Sequence, residues 1–162
     1  MLDLSINSKL YELWEVDAEH PPEKPHALVL YDYWLDKRGQ RGFPSWRDID
    51  LLDIWEITPY LIVKDVIGNG EDFRNRFWGT QITHRVGFDA SGKTHCEVYE
   101  KRQQTPPMRA YSTVFQSGTP HILHRSCSYI AGREFVTFFG LLLPLGSTED
   151  TVEQILMVVD FE

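Results

Sequence analysis

Cysteine is scarce in this chain: Cys96 and Cys127 are the two among 162 residues. They do not make a disulfide scaffold, and reduced thiols in a cytosolic protein are the expectation. Basic residues are also short, 16 Lys and Arg against 24 Asp and Glu, for a net charge of −8. Such a surface repels phosphate backbones, which argues against general nucleic-acid binding. No apolar run approaches the roughly 18 residues that read as a membrane span, so no membrane segment is expected. The opening MLDLSINSKLYELW lacks the basic and apolar regions of a secretory signal. Internal repeats and low-complexity tracts are missing too.

What is present is an ordinary globular composition, with enough chain for one domain and its core. Its charge is uneven. Residues 73–133 hold nine basic and three acidic side chains, while residues 134–162 hold six acidic and no basic ones. A local basic face for an anion or an acidic partner fits that distribution, and so does plain solvated scatter.

Residues 1–20 suggest a short helix with Leu4, Leu10, Leu13 and Trp14 inward, ended by His20-Pro21-Pro22-Glu23-Lys24-Pro25. A second helix is expected from about His26 to Lys37, where Leu28, Tyr31 and Leu35, with Leu30 and Trp34, recur at helical spacing. Ser45 and Asp48 have capping-box spacing, and Asp50 is a second cap before Leu51, Ile54 and Trp55. Leu61–Ile67 reads as a strand, Gly68-Asn69-Gly70 as a turn, and Phe73–Trp78 as a second strand. Strict alternation there puts Phe73, Asn75 and Phe77 on one face and Arg74, Arg76 and Trp78 on the other.

Gly79, Gly87 and Gly92 divide the next stretch into short helices and turns. Thr94 to about Ser117 reads as two helical pieces broken at Pro106-Pro107, the second starting at Met108. Three strands follow, over Thr119–Ala131, Phe135–Leu145 and Glu153–Phe161, the first two joined at Gly132-Arg133. The sum is an α+β domain: a five-stranded antiparallel sheet with short helices on one face and an N-terminal helical extension.

This order resembles a PAS-like sensory domain, in particular a bacterial PAS-like family of short, near-stand-alone proteins. The matching residues are Tyr33-Trp34, Arg38-Gly39, Pro44-Ser45, Asp48-Ile49-Asp50, Leu61, Asp65-Val66 and Phe73–Phe77 running into Gly79-Thr80. Gly87-Phe88-Asp89, Gly92, Gly118-Thr119-Pro120 and Leu143-Pro144-Leu145 complete them. The division it implies is residues 1–27 as helical extension and Pro-rich linker, and 28–162 as the sensory domain. The resemblance further implies a small-molecule cavity, frequent homodimerisation and no catalytic residue. Haem-binding members carry an axial histidine in the helix before the third strand, and Met108–Phe115 contains none. The Asn-Cys-Arg motif of flavin-binding photosensors is missing as well. Neither haem nor photoactive flavin is expected.

Among residues that could carry chemistry, His121–Cys127 stands out. Strand alternation groups His121, Leu123, Arg125 and Cys127 against Ile122, His124 and Ser126, so the two histidines point apart and cannot chelate a metal locally. No nucleophile elbow and no phosphate loop is present. The candidate cavity lining is Trp78, Tyr111, Phe115, Tyr129, Phe138 and Phe139, with Arg109 as an anion contact. Phe138 and Phe139 are consecutive, so only one of them can face a cavity. Leu28, Tyr31, Trp34 and Leu35 are the candidate dimer or partner contact, unless their helix caps its own sheet. No kinase, cyclase or DNA-binding segment follows Glu162, so output is expected through a partner protein or homodimer contacts.

Three functional classes follow. The leading one is a sensory or regulatory domain binding a small organic ligand. The others are an interaction module without ligand, and a small cone-shaped α+β enzyme. Asp65, Asp89 or His84 buried in a pocket would point to the enzyme.

Overall fold

Antiparallel pairing of six strands organises the chain, seen in a computed structural model that describes residues 12–99, 105–127 and 136–162. The strands are β1 (Glu12–Glu15), β2 (Leu61–Ile67), β3 (Asp72–Trp78), β4 (His121–Cys127), β5 (Thr137–Leu145) and β6 (Gln154–Phe161). Their order across the sheet is β1-β4-β5-β6-β2-β3. The α+β class holds, with one strand more than expected. The extra strand is β1, where Leu13 and Trp14 suggested part of a helix. Backbone pairing decides the matter: Glu12–Glu15 lies against His121–His124 and covers an edge that β4 would otherwise expose. Leu4 and Leu10 lie outside the described residues.

Helix α1 (Pro25–Arg38) begins one residue before its expected start and ends one after. Lys24 offers its first turn no side-chain cap. Asp160 of β6 supplies one instead, its carboxylate accepting the N–H groups of His26 at 3.1 Å and Ala27 at 3.2 Å. A carboxylate at that end also suits the helix dipole. Further along, Trp34 is fully buried and its indole N–H donates to the Pro144 carbonyl at 3.0 Å. So α1 packs on β5 and β6 of its own sheet, on the face opposite the remaining helices. The N-terminal helix thus caps its own sheet, and the short helices keep to the other face.

Three short 3₁₀ turns (Trp46–Asp48, Leu51–Ile54 and Thr58–Tyr60) lead into β2. Asp48 accepts the Ser45 N–H and Asp50 accepts the Leu52 N–H, as the cap spacings suggest. On the inner face lie α2 (Thr80–Val86), α3 (His95–Val98) and α4 (Pro106–Ser117). Helix α4 starts at the prolines instead of after them. Proline has no N–H to lose in a first turn, and the Thr105 hydroxyl accepts the Met108 N–H at 3.3 Å. Gly118, at φ 66°, closes the helix. Among the described residues no helix is long and apolar enough to cross a membrane.

Two bulges shift the side-chain phase. Between β2 and β3, Val63 pairs with Phe77 but Lys64 pairs with Asn75, leaving Arg76 unpaired. Trp78 thereby joins Asn75 on the inner face, which strict alternation denied it. Between β4 and β5, Leu123 pairs with Gly140 and Ser126 with Phe138. Arg125 stands there at φ 56°, and Ser126 is returned to the face of Leu123.

Candidate functional site

The inner face holds a partly open cavity of about 50 Å³ between β2, β3, β6 and helices α2 to α4. Most of its wall is apolar, including Ile62, Val86, Phe138, Met157 and Val159. A water needs roughly 10–15 Å³ of such space, so about four water-sized positions exist. Against that apolar wall stand Lys64, Asn75, Trp78 and His95, with the phenols of Tyr99 and Tyr111, from neighbouring strands and helices.

Lys64 is the unusual one. Alternation along Leu61–Ile67 turns Ile62 and Lys64 inward together, and the lysine is 2 % exposed. No described residue gives its ammonium a hydrogen bond or ion pair. Its nearest company is aromatic, the Tyr111 ring at 4.8 Å and the Trp78 ring at 5.9 Å. Burial pushes its pKa down to about 7, against a weaker pull from the Asp72 charge. Asp72 itself is held below the usual carboxylate range. Burial opposes that, but the N–H groups of Phe73 and Cys96 and the Thr94 hydroxyl outweigh it.

Asn75 is 1 % exposed and sits directly opposite Lys64 across the ladder. Its Nδ2 donates to the Ala90 carbonyl at 3.0 Å, which fixes the amide and leaves Oδ1 without a donor. The Trp78 indole N–H has no acceptor. His95 spends its Nε2 on the Thr105 hydroxyl at 2.8 Å and packs against Tyr99 and Tyr111. Burial pushes its pKa down to about 3, helped by the nearby Lys64 charge and opposed by Asp72. The same burial raises Tyr99 to about 12 and Tyr111 higher still, so both phenols stay protonated.

Of the expected cavity residues, Trp78, Tyr111 and Phe138 line this space. Phe139 turns to the opposite face, as the pleat requires of consecutive strand residues. Phe115 packs instead over the β2–β3 turn, where a Cβ on Gly70 would meet its ring at 2.6 Å. Arg109 is solvent-exposed on α4 and does not line the cavity, and Tyr129 lies outside the described residues. Trp34 cannot serve as a surface contact because it is buried in its own core, whereas Leu28 is 45 % exposed and Tyr31 and Leu35 are half-buried. Asp65 pairs with Arg76 at 2.7 Å, and Asp89 and His84 are exposed, so all three lie apart from the cavity. Lys64, Asn75 and His95 were not singled out as site residues. A lysine at an inward position directly after the apolar Leu61–Val63 run is the signal that marks the first.

A second concavity, of about 360 Å³, opens on the outer face beneath the β1–α1 linker. Trp14 stacks on His124 at 4.5 Å, His124 meets Phe139 edge-on at 5.0 Å, and the Lys24 ammonium sits 4.0 Å above Phe139.

A family model described as PAS domain matches residues 23–159. None of the curated proteins matches the sequence. Among solved structures, an RNA-binding Light-Oxygen-Voltage receptor superposes with a TM-score of 0.56 at 11% identity. That match covers 93% of this chain and 38% of the receptor, so the chain spans well under half of that protein's length. A LOV protein of Rhodobacter sphaeroides superposes at 0.48 and 12% identity, over 70% of this chain and 68% of its own. A flavin does not fit the inner cavity, because about 50 Å³ is far below the 300–1,000 Å³ of typical cofactor-sized pockets. Cys96 does not line that cavity either.

Proposed function

The chain belongs to the PAS domain family, and from that premise we propose that it is a sensory or regulatory domain whose inner cavity takes a small organic ligand. One observation carries the reading. A lysine side chain only 2 % exposed makes no hydrogen bond or ion pair with the described residues, and an unpaired amide oxygen and an unpaired indole N–H line the same space. Each such group costs folding free energy, so an occupant that pairs them restores stability.

The route out is structural. Lys64 lies on β2, which pairs with β6, and β6 carries Asp160 at the head of α1. A ligand drawing on Lys64 acts on the strand that positions α1. The exposed Leu28 and Val29 of α1, with Leu52 of the nearby 3₁₀ turn and Trp55 just after it, form the surface a second copy or a partner protein would read. The reading is non-catalytic: the acid–base candidates Asp65, Asp89 and His84 stand outside the cavity, and the groups inside it are short of partners. RNA binding, named for the structural neighbour, is not carried over. Identity of 11% bears on fold alone, and a net charge of −8 repels phosphate.

The small volume together with those exposed apolar side chains favours one alternative, an interaction module with no ligand. Native mass spectrometry against the denatured mass separates the two. Extra mass lost on denaturation supports the sensor and gives the mass of the compound. Bare protein, at dimer mass and unchanged by any added small molecule, would sink the sensor in favour of the module.

A further inference from the structure

We propose that the ligand of the inner cavity is a short hydroxycarboxylate of about two or three carbons, its carboxylate held by Lys64 and Trp78 and its hydroxyl by Asn75. This rests on the reading of the cavity as a ligand site and names what the site selects.

The unused bonding capacity defines the complement. Lys64 contributes a positive charge and three donors, Trp78 one donor, and Asn75 one acceptor. Of the neighbouring polar groups, His95 is committed to Thr105 and the Tyr111 hydroxyl to the Met157 sulfur at 3.7 Å, while the Tyr99 hydroxyl can donate or accept and so adds no requirement of its own. A ligand that satisfies the three open groups therefore needs a negative charge with at least two acceptor oxygens, and one donor. A carboxylate supplies the first and a hydroxyl the second. The Asn75 amide cannot turn to offer a donor, since its nitrogen is tied to Ala90.

Size and charge set the upper limit. About 50 Å³ holds roughly four water-sized positions, matching a molecule of about five or six heavy atoms. The wall beside the polar groups is Ile62, Val86, Met157 and Val159, which accommodates a methyl and nothing charged. Lys64 is the only Lys or Arg among the described lining residues, so a second carboxylate would find no cation among them. Dicarboxylates and aromatic acids are thereby excluded.

The test uses the full chain, with thermal shift and titration calorimetry against glycolate, lactate, acetate, lactamide, succinate and inorganic phosphate. Glycolate or lactate should raise the melting temperature saturably. Acetate should bind at least about tenfold more weakly, because Asn75 is left unpaired. Lactamide, succinate and phosphate should give no shift. Lys64→Met should fold and lose at least about a hundredfold in affinity, while Asn75→Leu should lose the preference for glycolate over acetate. A second, more conservative change, Trp78→Phe, guards against misfolding and should weaken every carboxylate alike. Preference for lactamide, or carboxylate binding unchanged in Lys64→Met, would overturn the ligand class while leaving a ligand site standing. No response to any probe, with bare protein by native mass spectrometry, would overturn both.

Discussion

The two concavities of this sheet contain similar kinds of side chain in opposite states. On the outer face, Trp14, His124, Phe139 and Lys24 are stacked on one another, and Asp160 is satisfied by two backbone N–H groups and His26. On the inner face, Lys64 makes no hydrogen bond or ion pair with the described residues, and the Asn75 Oδ1 and the Trp78 indole N–H are left unpaired. The outer cleft is the larger, yet its polar groups already have what they need. If the inner cavity is the ligand site, as proposed, the difference teaches that volume is a poor guide to function. The groups that a fold leaves short of partners are the better one.

Breaking the inner set should produce the largest effect, and in the unusual direction. Lys64→Met replaces a buried charge with an apolar side chain of similar length. The folded lysine loses its proton near pH 7, against 10.5 unfolded. Below pH 7 both states are protonated and the folded one bears the full burial penalty. Between 7 and 10.5 the unfolded state binds more protons, so stability rises with pH. Lys64→Met should therefore stabilise the protein by about 4 kcal/mol at pH 7, raising the melting temperature by roughly 10 °C. That advantage should shrink as the pH rises toward 10.5. Calorimetry at pH 7 and pH 10 on both proteins measures it, and a destabilised variant would mean the lysine is paired after all.

Histidine 95 sharpens the same comparison from the acid side. Its folded pKa of about 3 lies below the ordinary 6.5, so stability is complete above 6.5 and falls as the pH drops toward 3. The contribution lost by pH 4 is about 3 kcal/mol. Urea titrations at pH 7 and pH 4 should show His95→Leu losing less than the parent chain over that interval, and equal losses would contradict the buried neutral ring.

Changes on the outer face should be smaller and conventional in sign. Asp160→Ala removes the cap of α1 and should destabilise by about 2 kcal/mol, readable as a lower urea midpoint at unchanged slope. Trp14→Ala should cost about 1 kcal/mol by losing the stack on His124. It should leave binding in the inner cavity untouched, and a calorimetric change there would couple two sites that the structure separates.

Much of the fold was legible because it depends on local signals. The β2–β3 hairpin follows from its Gly-bearing turn, and the course of α1 from Leu30 and Trp34. Residues that carry the family resemblance turn out to hold the scaffold: Trp34 reaches Pro144, and Tyr33 accepts the Asp50 N–H at 2.8 Å. The site was less legible for a physical reason. Alternation is a rule of period two, and an inserted residue such as Arg76 breaks it without announcing itself in composition. Trp78 was placed on the wrong strand face for that reason, although its assignment to the cavity wall agrees with where it lies. Lys64 escaped notice although alternation along Leu61–Ile67 turns it inward; that its ammonium goes unpaired there, only the packed structure shows. Strand β1 was missed because its pairing with β4 spans more than a hundred residues of sequence.

That short strand has a consequence of its own. Four residues laid along His121–His124 act as a plug on the rim of the sheet. Beyond β1, β4 has only its own backbone donors and acceptors to show, the template on which another extended chain adds itself. Glu12 and Glu15 stand at the two ends of the plug, so the rim of the capped sheet carries negative charge and repels its own kind. Removing residues 12–15 would turn a self-limiting sheet into one that can be extended.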